Sequence, residues 1–302
     1  MPRFCVVVPC FNNEATVGET IRSALASNYD DFAVVVTDNG SKDRSPEIIA
    51  DFDDPRLITN LHAESVPKTE NWNRAYRDVP DCEYLVTLHG DDWLDRDGLA
   101  HIARMAEERP ALIHGRHDTI DLAGNPVPRR GFGFDYRISG PTFRTIQALS
   151  NVVAIPGATI RADLFNLLGG WDPDWTYLQD LEMWWQLSKR GSVHYCGKRI
   201  GTYRLLGGSG NPRYINEYVR WHVRQLNEQP PGSAMHAALS RNLAHRAALV
   251  RATNDPSMIA ALDEGGIGAV KLPKASPFNN PTHFVRLARL AASAASIVGA
   301  QL

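Results

Sequence analysis

The sequence predicts an α/β fold, a mainly parallel sheet flanked by helices, followed by a helical C-terminal extension. Three observations predict it. Short apolar, β-branched runs alternate with segments of helical periodicity over the first 115 residues, the pattern of a sheet buried on both faces. Polar, turn-rich clusters follow the first, second and fourth of these runs: "PCFNNE", "TDNGSKD" and "HGDDW". From about residue 212 strand-like runs give way to helical spacing.

The elements follow in order. "FCVVV" (4–8) is a strand, and residues 14–27 are a helix with Val17, Ile21, Ala24 and Leu25 on one face and Asn13 as N-cap. "FAVVVTD" (32–38) is a second strand, and "SPEIIADF" (45–52) a helix with Pro46 in its first turn. "RLITNL" (56–61), a helix over 69–78 and "EYLVTL" (83–88) complete the parallel set. A helix over 97–108 stops before Pro110, and "ALIHG" (111–115) is a further strand. Residues 116–150 read as a loop-rich crossing segment. "VVAIPGATIR" (152–161) reads as strand, 162–170 as a helix ended by glycine, 171–180 as a loop and 181–191 as a helix. "SVHYCG" and "RIGTYRLL" are short strands, and helices follow over 214–228, 233–253 and, after a spacer rich in Pro and Gly, 281–299. The expected domains are 1–210, in two halves (1–115 and 116–210), and a helical region over 211–302.

Composition sets limits. The chain has 302 residues, 43% hydrophobic, enough for one or two globular domains with a sizeable core. A net charge of −2 implies no polyanion-binding surface, so nucleic acid is not an expected partner. No secretory leader is expected, because Met1 leads straight into "RFCVVVP", and no uncharged run is long enough to span a bilayer. Cys5, Cys10, Cys82 and Cys196 lack CxxC spacing and read as free thiols in a reducing cytosol. In the last helix Arg286, Arg289, Ser293 and Ser296 form one stripe opposite Phe284, Leu287, Ala291, Ala294 and Val298. That helix is expected to dock on its own domain or a second subunit, with peripheral contact at the inner face of a membrane as the alternative.

In an open parallel sheet, ligands bind beyond the carboxyl ends of the strands, which puts the three polar clusters on one edge. The adjacent carboxylates Asp91 and Asp92 repel each other, and a hard dication, Mg²⁺ or Mn²⁺, relieves that repulsion. A cation there would neutralise the diphosphate of a nucleotide leaving group. Asp38 is either an Asx-turn residue or an acceptor for the ring N–H of uracil or thymine. Pro9, Phe11, Asn12 and Glu14 can wrap base and ribose, although Asn13 and Glu14 serve equally well as a helix start. Lys68 can reach a pyrophosphate, and Asn39, Asn71, Asn73 and Asp91 complete the expected donor contacts. Asp180 is either a first-turn acid complementing a helix dipole or a general base for an acceptor hydroxyl. Trp171, Trp175 and Trp184 suit sugar stacking if their indoles are exposed and core packing if not. With Gln179 and Glu182 they form the expected acceptor set. The pair His114 and His117 has no third ligand at zinc-like spacing.

In sequence order, "VVVPCFNNEATVGETIRSALASNY", "VVVTDNGSKDRS", "ENWNRAY", "EYLVTLHGDDWL", "IPGATIRADLFNLLGGWD" and "QDLEMWWQLSKRG" resemble the family-2 glycosyltransferases with the GT-A (Rossmann-like) fold, over roughly residues 3–205. The resemblance implies a metal-dependent, inverting transfer from a UDP- or dTDP-sugar to the hydroxyl of a glycan, lipid-linked or small-molecule acceptor. It implies that Pro9, Asn12 and Glu14 line the nucleotide site and that Asp38 holds the base. Asp91 and Asp92 then stand in the DxD region, and Asp180 is the acceptor base. Three departures stand out. His89 occupies a position where relatives often carry Asp, Gln179 one where they commonly carry Glu, and Leu205 and Leu206 follow "YR" where many carry His. The QxxRW pattern of processive synthases is absent. Two other readings compete: a sugar-1-phosphate nucleotidyltransferase, which would need a Gly-rich loop after the first strand, and a non-catalytic sugar-nucleotide-binding or scaffold protein.

Overall fold

A computed structural model describes residues 1–121, 123–128, 131–205 and 211–270. The helix expected over 281–299, with its two stripes, and Leu206 lie outside the described residues. The described residues divide into two compact units.

The first unit comprises Met1–Arg137, Val153–Pro173 and Gln186–Leu206. Its strands are β1 (Phe4–Cys10), β2 (Phe32–Asp38), β3 (Leu57–Leu61), β4 (Tyr84–Thr87), β5 (Trp93–Leu94), β6 (Leu112–Ile120), β7 (Tyr136–Ile138), β8 (Thr159–Arg161) and β9 (Val193–Arg204). They form one sheet in the order β3-β2-β1-β4-β8-β6-β9-β5, with β7 beside β9. β3, β2, β1 and β4 run parallel, as the alternation predicts; β8 is antiparallel to β4 and β6.

The apolar runs are buried on both faces because helices cover both. Phe4, Val6, Val8, Val34, Val36, Val86 and Leu88 face a core closed by α1 (Val17–Leu25), α2 (Ser45–Ala50) and α4 (Gly98–Ala106). The residues between them point to the other face, where α3 (Lys68–Arg77) packs on β1 and β2. Each such Val contributes roughly 1.5–3 kcal/mol by leaving water. β1 and β2 are in register from Phe4↔Phe32 to Cys10↔Asp38, and Asp38 pairs Leu61. The carboxyl ends of the parallel strands therefore share one edge.

Several boundaries differ from expectation. α1 starts at Val17 after Thr16, and Asn13 is not its N-cap, because the Asn13 side chain turns back to accept the Phe11 N–H at 3.0 Å. The two strands expected around residue 197 are one long strand, β9. Only Thr159–Arg161 of the run over 152–161 is strand. It leads into α6 (Ala162–Leu168), whose C-cap Gly169 has φ 79°, a left-handed conformation glycine adopts without a Cβ clash. The crossing segment is not merely loop: it holds the end of β6, β7 and α5 (Gly140–Gln147), which Ser139 caps.

The second unit comprises Ile138–Val152, Asp174–Trp185 and the described part of Gly207–Leu302. It holds α5, the first residues of α7 (Gln179–Ser188), α8 (Pro212–Asn227), α9 (Ala234–Ala252) and α10 (Pro256–Glu264). α10 falls in the expected spacer and starts at Asp255, whose side chain accepts the Ser257 N–H at 2.9 Å. The expected division at residue 210 separates pieces that bond to one another. Gln147 Nε2 donates to Leu181 O at 3.0 Å, Asn242 Nδ2 to Ala148 O at 2.9 Å, and Trp221 Nε1 to Glu182 Oε2 at 2.7 Å. Among the described residues no helix is long and apolar enough to cross a membrane. The four cysteines are unpaired.

Candidate functional site

The three polar clusters meet at the strand edge of the first unit. The Asn12 N–H donates to Ser41 Oγ at 2.8 Å, and Lys42 N–H to Asn12 Oδ1 at 2.9 Å. Asn13 N–H donates to Ser45 Oγ at 2.8 Å, Glu14 N–H to Asp43 Oδ2 at 2.9 Å, and Arg44 N–H to Glu14 Oε2 at 3.0 Å. "PCFNNE" and "TDNGSKD" are thus stitched together by three of these hydrogen bonds, running in both directions, and the two residues after the second cluster add two more. Asn12 sits at φ 52°, a left-handed conformation that asparagine tolerates better than most residues. The third cluster joins through Thr16 Oγ1, which donates to Gly90 O at 2.7 Å. A Cβ on Gly90 would stand 3.0 Å from Asn13 Oδ1, so a larger residue would push these loops apart.

The acids of "HGDDW" are held unequally. Asp92 is 0% exposed; its Oδ1 accepts the Arg204 N–H at 2.8 Å, and its backbone oxygen accepts Thr20 Oγ1 at 2.9 Å. Asp92 Oδ2 is buried with no hydrogen-bond partner. A buried, orphaned carboxylate oxygen is costly unless a ligand completes it. One ligating atom from each of His89, Asp91 and Asp92 lies within 4.8 Å of the other two. The donor set, two carboxylates and an imidazole around an orphaned oxygen, fits a divalent cation. Burial pushes the Asp92 carboxyl well above the usual carboxylate range, and the charge of Asp91 adds to the effect. Burial also raises Asp91, partly offset by Arg204 and Lys68. His89 is pushed down to about 3, first by burial and then by the charge of Lys68. Its ring packs against Trp72 at 4.6 Å, and Lys68 Nζ lies 5.2 Å from that indole.

The other expected donor contacts divide. Phe11, 45% exposed, and the exposed Asn12, Glu14 and Lys68 border the edge, while Pro9 is buried at the end of β1. Asp38 forms the Asx turn: its carboxylate accepts the Ser41 N–H at 2.9 Å and bonds the Ser41 hydroxyl, and the residue is fully buried. Each Asp38 oxygen carries one of these bonds, which leaves acceptor capacity on the carboxylate for a ring N–H. Asn39 and Asn73 each clasp a distant backbone segment. Asn39 exchanges two hydrogen bonds with the Val66 backbone, at 2.9 and 3.0 Å, and Asn73 exchanges two with the Trp171 backbone, both 2.8 Å. Asn71 is buried and its Oδ1 lacks a hydrogen-bond partner.

The tryptophan expectation fails where it required exposure. Trp171, Trp175 and Trp184 are 1%, 2% and 0% exposed. Trp171 packs edge-on against Trp72 and Tyr76, at 5.1 and 5.4 Å. Gln179 and Glu182 are buried too, and Glu182 accepts the Trp221 indole N–H. All five side chains are buried, which accords with the core-packing alternative for the indoles. His114 is buried against the Tyr195 ring at 5.1 Å, and no metal-type cluster among the described residues includes it.

In the second unit, half-buried Asp180 lies in the first turn of α7; its Oδ2 accepts a hydrogen bond from Asn151 Nδ2 at 3.0 Å. It borders a cavity of about 360 Å³ whose wall also carries Tyr177, Tyr214, Tyr218, His222, His245 and Arg246. The floor is a closed polar network. Tyr218 donates to Asn242 Oδ1 at 2.8 Å, His222 Nδ1 contacts Tyr218 O at 2.8 Å, and His222 Nε2 lies 3.2 Å from Asn242 Nδ2. Burial holds the His222 ring neutral, its pKa pushed down to about 4. The Arg246 guanidinium stands 4.9 Å from the Tyr218 ring. Sequence reasoning missed these cavity residues and Arg204. Arg204 reaches the acids because β5 pairs with β9, Trp93 opposite Thr202, a long-range contact that no local pattern encodes.

Comparison with known proteins agrees with this architecture. The model for glycosyl transferase family 2 matches residues 5–167. An uncharacterized glycosyltransferase of Haemophilus influenzae is 26% identical over 132 residues, 42% of this chain and 52% of that protein; a Rickettsia felis one is 22% identical over 74% of this chain but 37% of its own length. The chain thus spans only part of these relatives. An Escherichia coli UDP-Glc:alpha-D-GlcNAc-diphosphoundecaprenol beta-1,3-glucosyltransferase is 23% identical over 72% of this chain and 83% of its own. Among solved structures, S. aureus TarS 1-349 in complex with UDP-GlcNAc superposes with a TM-score of 0.70 at 18% identity, covering 97% of this chain and 89% of that one. A Pyrobaculum calidifontis mannosyltransferase in complex with GDP-Man and Mn²⁺ gives 0.54 at 16% identity, covering 98% and 87%. With the model matching more than half of its length, the chain belongs to glycosyl transferase family 2.

Proposed function

We propose that the protein is an inverting glycosyltransferase that moves a sugar from a UDP- or dTDP-sugar to an acceptor hydroxyl. The observation that carries the reading is the buried, orphaned Asp92 Oδ2 beside Asp91 on the edge where the loops after β1 and β2 meet. Asp91 and Asp92 are the residues that would hold Mg²⁺ or Mn²⁺. When bound, such a cation supplies charge neutralisation for the departing diphosphate. Asn12, Glu14 and Phe11 offer polar and aromatic surface for ribose and base, and Asp38 an acceptor for the ring N–H. Lys68 and Arg204 add positive charge near the acids.

Asp180 is the proposed general base. The acceptor oxygen forms its bond to the anomeric carbon as its proton passes to the Asp180 carboxylate. The bond from that carbon to the diphosphate oxygen breaks, and its electron pair leaves with the nucleotide. Asn151, donating to Oδ2, orients the carboxylate without neutralising it. A lipid-linked acceptor is suggested by the E. coli relative and by a Campylobacter jejuni relative named as a GalNAc(5)-diNAcBac-PP-undecaprenol beta-1,3-glucosyltransferase. Such a substrate would bring the chain to the inner membrane face, with the bulk of the protein in the cytoplasm.

The test is a panel of nucleotide sugars screened by thermal shift with and without Mn²⁺, followed by donor hydrolysis and transfer assays. A stabilising, metal-dependent response to uridine or thymidine diphosphate sugars is expected. Binding without hydrolysis or transfer to any acceptor would favour the non-catalytic reading instead.

A further inference from the structure

We infer that His89 is a nitrogen ligand of the cation site formed by Asp91 and Asp92, and that it makes the site select divalent transition ions such as Mn²⁺ over Mg²⁺. The inference rests on the reading of the strand edge as a cation-assisted donor site and deepens it.

Three features of the structure support it. The first is distance. Ligand atoms about 2.0–2.2 Å from one ion stand roughly 3–4.3 Å apart. The ligating atoms of His89, Asp91 and Asp92 already lie within 4.8 Å of one another, so only a small side-chain adjustment closes the set. The second is the direction of the carboxylate. The backbone N–H of Arg204 holds Asp92 Oδ1 at 2.8 Å, which leaves the buried, unpartnered Oδ2 as the atom that needs a ligand. The third is the placement of His89. The ring lies at the end of the β4 run, one glycine before the acids, and the buried Trp72 braces it at 4.6 Å with an interplanar angle of 53°.

Exchanging a carboxylate oxygen for an imidazole nitrogen changes two properties of the site. It removes a unit of negative charge, which weakens every dication. It also adds a softer donor, which recovers affinity most for Zn²⁺ and Co²⁺, less for Mn²⁺ and least for Mg²⁺, a hard ion that prefers oxygen and sheds water reluctantly. The net result is weak Mg²⁺ binding with transition ions retained.

The decisive experiment uses the full chain without donor. Calorimetry with Mn²⁺ and with Mg²⁺ gives the affinity ratio, and pulsed electron paramagnetic resonance of bound Mn²⁺ reads nitrogen coupling from an imidazole. Mn²⁺ is expected to bind at least about tenfold tighter than Mg²⁺, with imidazole coupling present. In His89→Asp the coupling should vanish and the preference should fall by about tenfold, while in Asp91→Asn/Asp92→Asn binding of both ions should be lost. Absent coupling in the wild type, a measurement that needs no variant to fold, overturns the inference, as does an unchanged ratio in His89→Asp. UDP binding is measured separately. Bound UDP with no imidazole coupling removes His89 but keeps the donor site. Imidazole-coupled Mn²⁺ with no UDP binding keeps the ligand and removes the donor-site reading.

Discussion

The carboxylate of Glu217 accepts the backbone N–H of Tyr177 at 2.7 Å, and with it the N–H groups of Thr176 and Leu178. A buried acid on α8 thus satisfies the turn that feeds Gln179 and Asp180 into α7, a task an N-cap side chain usually performs. Arg220 and Arg224 lie over the neighbouring Trp175 indole at 5.3 and 6.0 Å. The proposed base is therefore positioned by a residue almost forty places along the chain. Glu217→Ala strands three N–H groups and should cost roughly 2 kcal/mol or more of stability. Glu217→Gln, which keeps one acceptor oxygen, should cost less. Both should lower kcat by misplacing Asp180 while leaving donor affinity unchanged, measurable by thermal denaturation and steady-state kinetics.

Asp180→Asn preserves the size and the Asn151 contact of the side chain but removes its capacity to take a proton. Transfer should fall by about 10²–10⁴-fold, the usual contribution of a general base, with nucleotide-sugar binding near wild type by calorimetry. Transfer at the wild-type rate would remove Asp180 from the mechanism.

The cavity beside Asp180 makes a separate prediction. Tyr214 and Arg246 line it together, a ring and a planar cation suited to a sugar or an anionic acceptor group. Tyr214→Ala and Arg246→Ala should raise the acceptor KM about tenfold or more and leave the donor KM unchanged, because neither residue belongs to the unit that carries Asp91 and Asp92. A donor KM that rises in step would assign the cavity another role.

The edge of the sheet was legible because it depends on period and order. Apolar runs such as "FCVVV" and "FAVVVTD" announce parallel strands, and parallel strands bring their carboxyl-end loops together whatever the side chains do. Asp91, Asp92 and the stitched loops were reachable in this way. The roles of Asn39 and Asn73 were not, since a residue type does not reveal whether its amide faces a ligand or clasps a distant backbone. The tryptophans of "WDPDWTYLQDLEMWW" show the same limit: an indole serves a core and a sugar equally well, and only the partners, Trp72 and Tyr76 for Trp171, decide. Arg204 and Glu217 act through contacts from distant parts of the chain, and no spacing rule reaches that far.

The raised carboxyl of Asp92 gives a prediction with a definite sign. An unfolded Asp titrates near about 3.9, and burial with the Asp91 charge holds folded Asp92 well above that. Between those two values the folded chain binds more protons than the unfolded one, so without metal its stability falls as pH rises through that window. Neutralising the neighbour in Asp91→Asn relieves the repulsion, and should raise the melting temperature in EDTA, by about 2–4 °C if it gains about 1 kcal/mol. A cation must displace the proton to bind, so the stabilisation given by Mn²⁺ should instead grow as pH rises, and should vanish in Asp91→Asn/Asp92→Asn. Melting curves from about pH 5 to about pH 8 should fall with pH in EDTA and stay nearly flat in saturating Mn²⁺, so that the gap between them widens as pH rises. A metal response that does not change with pH would mean that the pair is already ionised in the folded chain over that range.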